Sequence, residues 1–219
     1  MIYSIRHSVK WKHPSLLLIS IRISNLGDWI YFIALNLMVL NMTNSPTAVA
    51  GLYILKPIAE ILTSFWSGSV IDRLNKRLIM IVLDLLRALL VGMILFVHSI
   101  WSIYILVLII HIASSVFTPT STTYMTKLIP PNHRKRFNSL QNVMTSGAFL
   151  LGPGIAGLLF IVGSPIIAIY LNALSFFISA VILFFLPNLD TTQTQSVGKA
   201  LSVKILLVLK DKFYSRKTL

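Results

Sequence analysis

The chain alternates long apolar runs with short polar breaks. Six runs are each close to the ~20 residues that a helix needs to cross ~30 Å of hydrocarbon. They cover residues 15–40, 47–70, 78–97, 101–122, 138–162 and 165–186. The breaks read "NMTNSPT", "IDRLNKR", "HSI", "KLIPPNHRKRF" and "GSP", rich in the glycine, proline and asparagine that end helices. The runs are continuous rather than alternating in polarity, which excludes a membrane β-barrel. The pattern predicts an all-α integral membrane fold, a six-transmembrane-helix bundle over 15–186. It is flanked by a short N-terminal segment, 1–14, and a basic tail, 187–219.

Composition agrees. Of the 219 residues, 56% are hydrophobic and 11% charged, with a mean hydropathy of +0.82. A water-soluble domain cannot hide that much apolar surface. The start, "MIYSIRHSVKWKHPS", has the basic character of a signal peptide, but the run after it is too long and contains Arg22 and Asp28. It reads as a retained first helix. The absence of cysteine excludes disulfides and thiolate metal sites.

Charge orients the bundle. Sixteen of the 19 Lys and Arg fall in alternate segments: the N-terminus (Arg6, Lys10, Lys12), the second break (Arg73, Lys76, Arg77), the fourth (Lys127, Arg134, Lys135, Arg136) and the tail (Lys199, Lys204, Lys210, Lys212, Arg216, Lys217). The positive-inside rule then places both termini in the cytoplasm of a bacterial cell. The net charge of +13 is accounted for by topology and contact with anionic lipid, and no nucleic-acid partner is expected.

Six ionisable residues remain inside the runs: Arg22, Asp28, Lys56, Glu60, Asp84 and Arg87. At 1.5 Å per residue, Asp28, Lys56, Glu60 and Arg87 lie about 14–20 Å from the ends of their helices, near mid-membrane. Lys56 and Glu60 are spaced i,i+4 and Asp84 and Arg87 i,i+3, so each pair can meet on one helix face. Asp28 has no such local partner. It requires a group from another helix, water or a proton. Intramembrane charge usually marks a substrate, ion or proton route; the other reading is a neutral network that orients the bundle. Arg22 and Asp84 lie nearer the cytoplasmic end, where snorkelling is the cheaper explanation. Gly27 either weakens the helix beside Asp28 or serves a close helix contact. Trp29 and Tyr31 are either cavity wall or packing.

Two motifs suggest a family. "GSVIDRLNKR" resembles the turn between the second and third helices of the major facilitator superfamily, matching it at Gly68, Asp72, Arg73, Lys76 and Arg77. Asn75 replaces the usual glycine and is expected to tolerate a positive-φ turn. "AFLLGPGIAG" resembles the glycine–proline motif of export branches, with Gly152, Pro153 and Gly157 matching and Ala148 and Ala156 in place of glycine. From about residue 17 to 187 the chain is similar to the N-terminal half of the macrolide and siderophore exporters of that superfamily. The resemblance implies proton-driven efflux of amphipathic compounds, with a small-molecule substrate, the proton and the lipid bilayer as partners and no cofactor. Asp28 and the charges of the second and third helices would line the pathway. The fourth helix lacks the arginine often tied to proton coupling and offers His111 as its titratable group.

Such transporters have two six-helix halves, and this chain reads as one. It is expected to be a truncated or split N-terminal piece. The alternatives are a half-transporter that pairs with itself or with a C-terminal half, and a non-transporting scaffold or regulatory subunit. Leu201, Ile205, Leu209 and Phe213 among lysines predict an amphipathic helix in the tail, lying on the cytoplasmic face. No nucleophile–base set, metal spacing or phosphate loop points to an enzyme.

Overall fold

A computed structural model describes residues 12–162 and 164–189. The amphipathic stretch expected in the tail lies outside these residues. Among them the secondary structure is entirely helical: α1 (Lys12–Thr43), α2 (Pro46–Ser64), α3 (Ser67–Arg73), α4 (Lys76–Ile94), α5 (Ile100–Leu128), α6 (Pro131–Val162) and α7 (Pro165–Phe184).

Seven helices replace six apolar runs because the second run breaks. At Phe65 and Trp66 the backbone tightens into a turn, with Trp66 N donating to Thr63 O at 3.3 Å. α3 then continues as two turns toward the basic loop. Five helices (α1, α2, α5, α6 and α7) are long and apolar enough to cross a membrane. α4 has the length, but it carries Asp84 and Arg87 midway.

The breaks use local chemistry that the sequence announced. Asn44 takes a positive φ of 50°, a conformation asparagine tolerates better than most residues. Ser45 caps α2 by accepting from Ala48 N at 3.4 Å, and Pro46 follows as its first residue. Asn75 caps α4, its side chain accepting from Leu78 N at 3.3 Å. Its backbone is extended, φ −68° and ψ 111°. The positive-φ turn expected there is absent, because a capping residue takes β-region dihedrals and uses its side chain instead.

Packing closes a ring. α1 lies along α7, α7 along α4, α4 along α5, and α5 along α2, which returns to α1. α6 sits outside this ring, on α1 and more lightly on α7. The shared core gathers Ile30, Ala34, Leu35 and Val39 of α1 with Val91 and Ile94 of α4, Ile103 and Val107 of α5, and Ile169 and Phe176 of α7.

Two glycines set the closest approaches. A Cβ on Gly27 would overlap Ser175 Oγ and lie 2.5 Å from Asn172 Oδ1, so α1 and α7 can touch only through a bare backbone. A Cβ on Gly152 would lie 2.6 Å from Trp29 Cβ, which seats α6 on α1. Ala148 and Ala156, one turn either side, are buried in the same seam, whereas Pro153 and Gly157 face outward. The glycine–proline motif thus has a small-residue inner edge and an exposed outer one. α1 runs unbroken through Gly27, so this glycine serves helix contact rather than helix weakening.

Candidate functional site

The intramembrane charges separate into two groups of opposite character. The first is sealed. Asp84 is 0% exposed and Arg87 3%. Their i,i+3 spacing brings them into a direct ion pair, Arg87 Nη2 to Asp84 Oδ1. Ser179 Oγ of α7 donates to the other carboxylate oxygen at 2.6 Å. The guanidinium lies between two rings, 4.3 Å from the centroids of both Phe117 on α5 and Phe176 on α7. Arg87 Nη1 also reaches Ser114 Oγ at 3.5 Å. One arginine therefore ties α4 to α5 and α7, with its charge held by a carboxylate and by two ring faces.

Snorkelling does not describe Asp84 or Arg22. Asp84 is wholly inside the bundle, and Arg22, 8% exposed, turns between α1 and α6 to donate to the Thr145 hydroxyl. Both find partners on neighbouring helices, so neither needs to stretch to the membrane surface.

The second group is open. Asp28 is half-buried, Lys56 and Glu60 are exposed on α2, and His111 is half-buried on α5. The charge of Lys56 acts on both Asp28 and His111. Lys56 and Glu60 form no ion pair.

Aromatic side chains surround this open group. Trp29 meets Phe149 of α6 edge-on at 5.0 Å, Phe32 meets Tyr53 of α2 edge-on at 5.1 Å, and Asn36 Nδ2 donates to the Tyr53 hydroxyl at 3.3 Å. Trp29 is half-buried and belongs to this wall, while Tyr31 is buried in the core. Sequence reasoning did not single out Phe32, Asn36, Tyr53 or Phe149. It also missed Asn172, Ser175 and Ser179, although their i, i+3, i+7 spacing in an otherwise apolar run was a readable signal of one polar helix face.

The basic turn is arranged for capping. Lys76 is 5% exposed, with Nζ 3.4 Å from Asp72 O and 3.3 Å from Leu74 O. Arg77 donates to Leu183 O and Phe184 O and lies 5.3 Å over the Phe184 ring, satisfying the carbonyls at the end of α7. Arg134 does the same for α5, donating to Ile129 O at 3.0 Å and Thr126 O at 2.5 Å. Asp72, Arg73 and Gly68 are exposed, and a Cβ on Gly68 would meet nothing within 4 Å. No close helix contact is made at Gly68 among the described residues.

An apolar groove of about 450 Å³ lies between α3, α4 and α5, bounded by Trp66, Leu78, Val82, Ile109 and Ile112. It holds no charged side chain and is not the site.

Residues 17–216 match the family described as the Major Facilitator Superfamily. The chain belongs to the Major Facilitator Superfamily. A relative, the uncharacterized MFS-type transporter YfiS of Bacillus subtilis (strain 168), is 33% identical over 173 residues, covering 78% of this chain and 42% of that protein. The chain spans less than half the length of that relative. Superfamily membership and the apolar helices make this a membrane-embedded chain.

Proposed function

We propose that the described helices are the N-terminal six-span half of a proton-coupled exporter of amphipathic compounds, of the macrolide- and siderophore-exporting kind. Both termini would lie in the cytoplasm. The supporting observation is the separation of charge: the Asp84–Arg87 pair is sealed, while Asp28, Lys56 and Glu60 reach an aromatic-lined open face. Exposed charge at mid-membrane is costly against lipid. Covered by a second six-helix unit, the same face becomes one wall of a polar pathway, with alternating access by rocking of the two units.

In this reading Asp28 is the carboxylate that exchanges a proton. Lys56, Glu60 and His111 set the potential around it, and the rings of Trp29, Phe32 and Tyr53 take the apolar part of the substrate. Arg22, Asp84 and Arg87 hold the helices that form the wall. Gly68, Asp72 and Arg73, exposed here, would meet the second unit, as would Pro153 and Gly157.

The test is a chimera in which this chain is fused to the C-terminal half of the Bacillus relative, expressed in an exporter-deficient bacterium. Energy-dependent efflux of a macrolide or an amphipathic dye is expected. Asp28→Asn should abolish it and Glu60→Gln should reduce it less. Normal efflux by Asp28→Asn across a range of pH would make this carboxylate structural.

A further inference from the structure

The short helix α3 is set off from α2 by the turn at Phe65 and Trp66, and it packs on α5 and on the end of α2. The groove of about 450 Å³ occupies the space left between α3, α4 and α5. Its two walls are matched ridges at i, i+4 and i+8: Trp66, Val70 and Leu74 on α3, and Leu78, Val82 and Leu86 on α4. Ile109, Ile112 and Val116 of α5 form the floor. Leu74, Leu78 and Val82 are 53%, 60% and 54% exposed, so the groove opens outward rather than into the bundle.

Its length matches one leaflet. From Asn75 at the rim to Leu86, α4 rises about 16 Å. Half of a ~30 Å hydrocarbon core is about 15 Å. An apolar slot of that length, open to the side, has the shape of a single acyl chain. Left empty, its lining would forfeit the dispersion contacts that a chain supplies.

The groove is also turned away from the open polar face. With 3.6 residues per turn, His111 lies on roughly the opposite side of α5 from Ile109, Ile112 and Val116. Gly68 and Asp72 lie on roughly the opposite side of α3 from Trp66, Val70 and Leu74. A second unit laid over Asp28, Lys56 and Glu60 would therefore leave the groove against lipid.

The rim adds charge. Arg73 stands at the edge of α3 between the Asp72 side and the groove wall, next to Leu74. It is exposed and makes no hydrogen bond or ion pair among the described residues. Its neighbours are engaged: Lys76 meets Asp72 O and Leu74 O, and Arg77 caps the end of α7. Residues 72–77 carry three bases against the one acid, Asp72. α4 begins at the same rim, with the positive end of its dipole. A guanidinium with no protein partner, above an apolar slot one leaflet deep, is complementary to a phosphate that carries an acyl chain.

We infer that the groove between α3, α4 and α5 holds one acyl chain of an anionic phospholipid, with its headgroup phosphate on Arg73. The chain supplies the packing that α3 lacks against α4, and the phosphate takes the charge that the basic turn leaves unmatched. The site requires only that the protein is embedded in a membrane, so it stands apart from the export reading.

The experiment uses Trp66 as an internal probe, because its ring lines the groove. The full chain, with Trp11, Trp29 and Trp101 changed to phenylalanine, is placed in phosphatidylcholine vesicles. Quenching of its fluorescence is compared for phosphatidylglycerol and phosphatidylcholine brominated midway along one chain, at equal mole fractions. Phosphatidylglycerol should compete for Trp66 about fivefold better, the preference that one arginine gives near an anionic surface. Arg73→Gln should bring the two lipids to parity, and Arg73→Lys should keep most of the preference. Val82→Phe, which places a ring in the groove mouth, should weaken quenching by both. A second protein keeps Trp101 alone as the reference. Trp101 is 73% exposed at the other end of α5 and should be quenched alike by both lipids. Equal quenching of Trp66 by the two lipids would mean ordinary boundary lipid and would overturn the inference, as would a preference that survives Arg73→Gln. Weak quenching of Trp66 by both, with Trp101 quenched normally, would place protein over the groove and would overturn it too. No transport is measured, so the result stands whether or not the chain exports anything.

Discussion

Ser179 donates to Asp84 at 2.6 Å across 95 residues of sequence, and this hydrogen bond fixes α7 against α4 at the only depth where α4 carries a carboxylate. Among the described residues, α4 is the one full-length helix that fails as a membrane span on its own composition. Its charges are tolerated because α5 and α7 bring a hydroxyl and two aromatic rings to them.

Removing one partner of this pair should therefore cost far more than removing both. Arg87→Ala, which strands Asp84, is expected to destabilise the bundle by about 3–5 kcal/mol. The double variant Asp84→Leu with Arg87→Met should recover most of that loss. Thermal unfolding in detergent, followed by helical circular dichroism, provides the comparison. Equal losses in the two proteins would show that the pair is not the clamp.

Gly27 and Gly157 offer a matched pair of substitutions. Gly27→Ala forces a methyl group onto Ser175 and Asn172 and should cost about 1–3 kcal/mol as α1 and α7 separate. Gly157→Ala enters open space and should stay within about 0.5 kcal/mol of the wild type. The same unfolding measurement reads both.

Asn75 discriminates a cap from a strained turn. Asn75→Ala should cost about 1 kcal/mol, and Asn75→Gly only a few tenths. A gain in stability with glycine would point instead to the positive-φ turn that the motif suggested.

Topology can be read directly. Reporter fusions after Asn44 and Ser99 should report the outside of the cell. Those after Asn75, Arg134 and Lys199 should report the cytoplasm. A cytoplasmic signal at Asn44 would invert every later span and remove the six-span reading.

The sequence by itself determined the membrane class, the helical secondary structure and the places where the chain turns, the break at Phe65 and Trp66 excepted. Those follow from composition and from local rules: apolar runs of fixed length, capping residues and prolines at helix starts. It also paired Asp84 with Arg87, because an i,i+3 spacing needs nothing beyond one helix. The same rule failed for Lys56 and Glu60, since spacing permits a pair without requiring one. Which face each charge occupies was decided by tertiary structure alone. Neither the inward turn of Arg22 nor the two rings around Arg87 is written in any local pattern, and the polar face of α7 shows in its spacing without showing what it meets. Each depends on which helices become neighbours, and that order is set by small residues such as Gly27 and Gly152, whose role appears only when another helix lies against them.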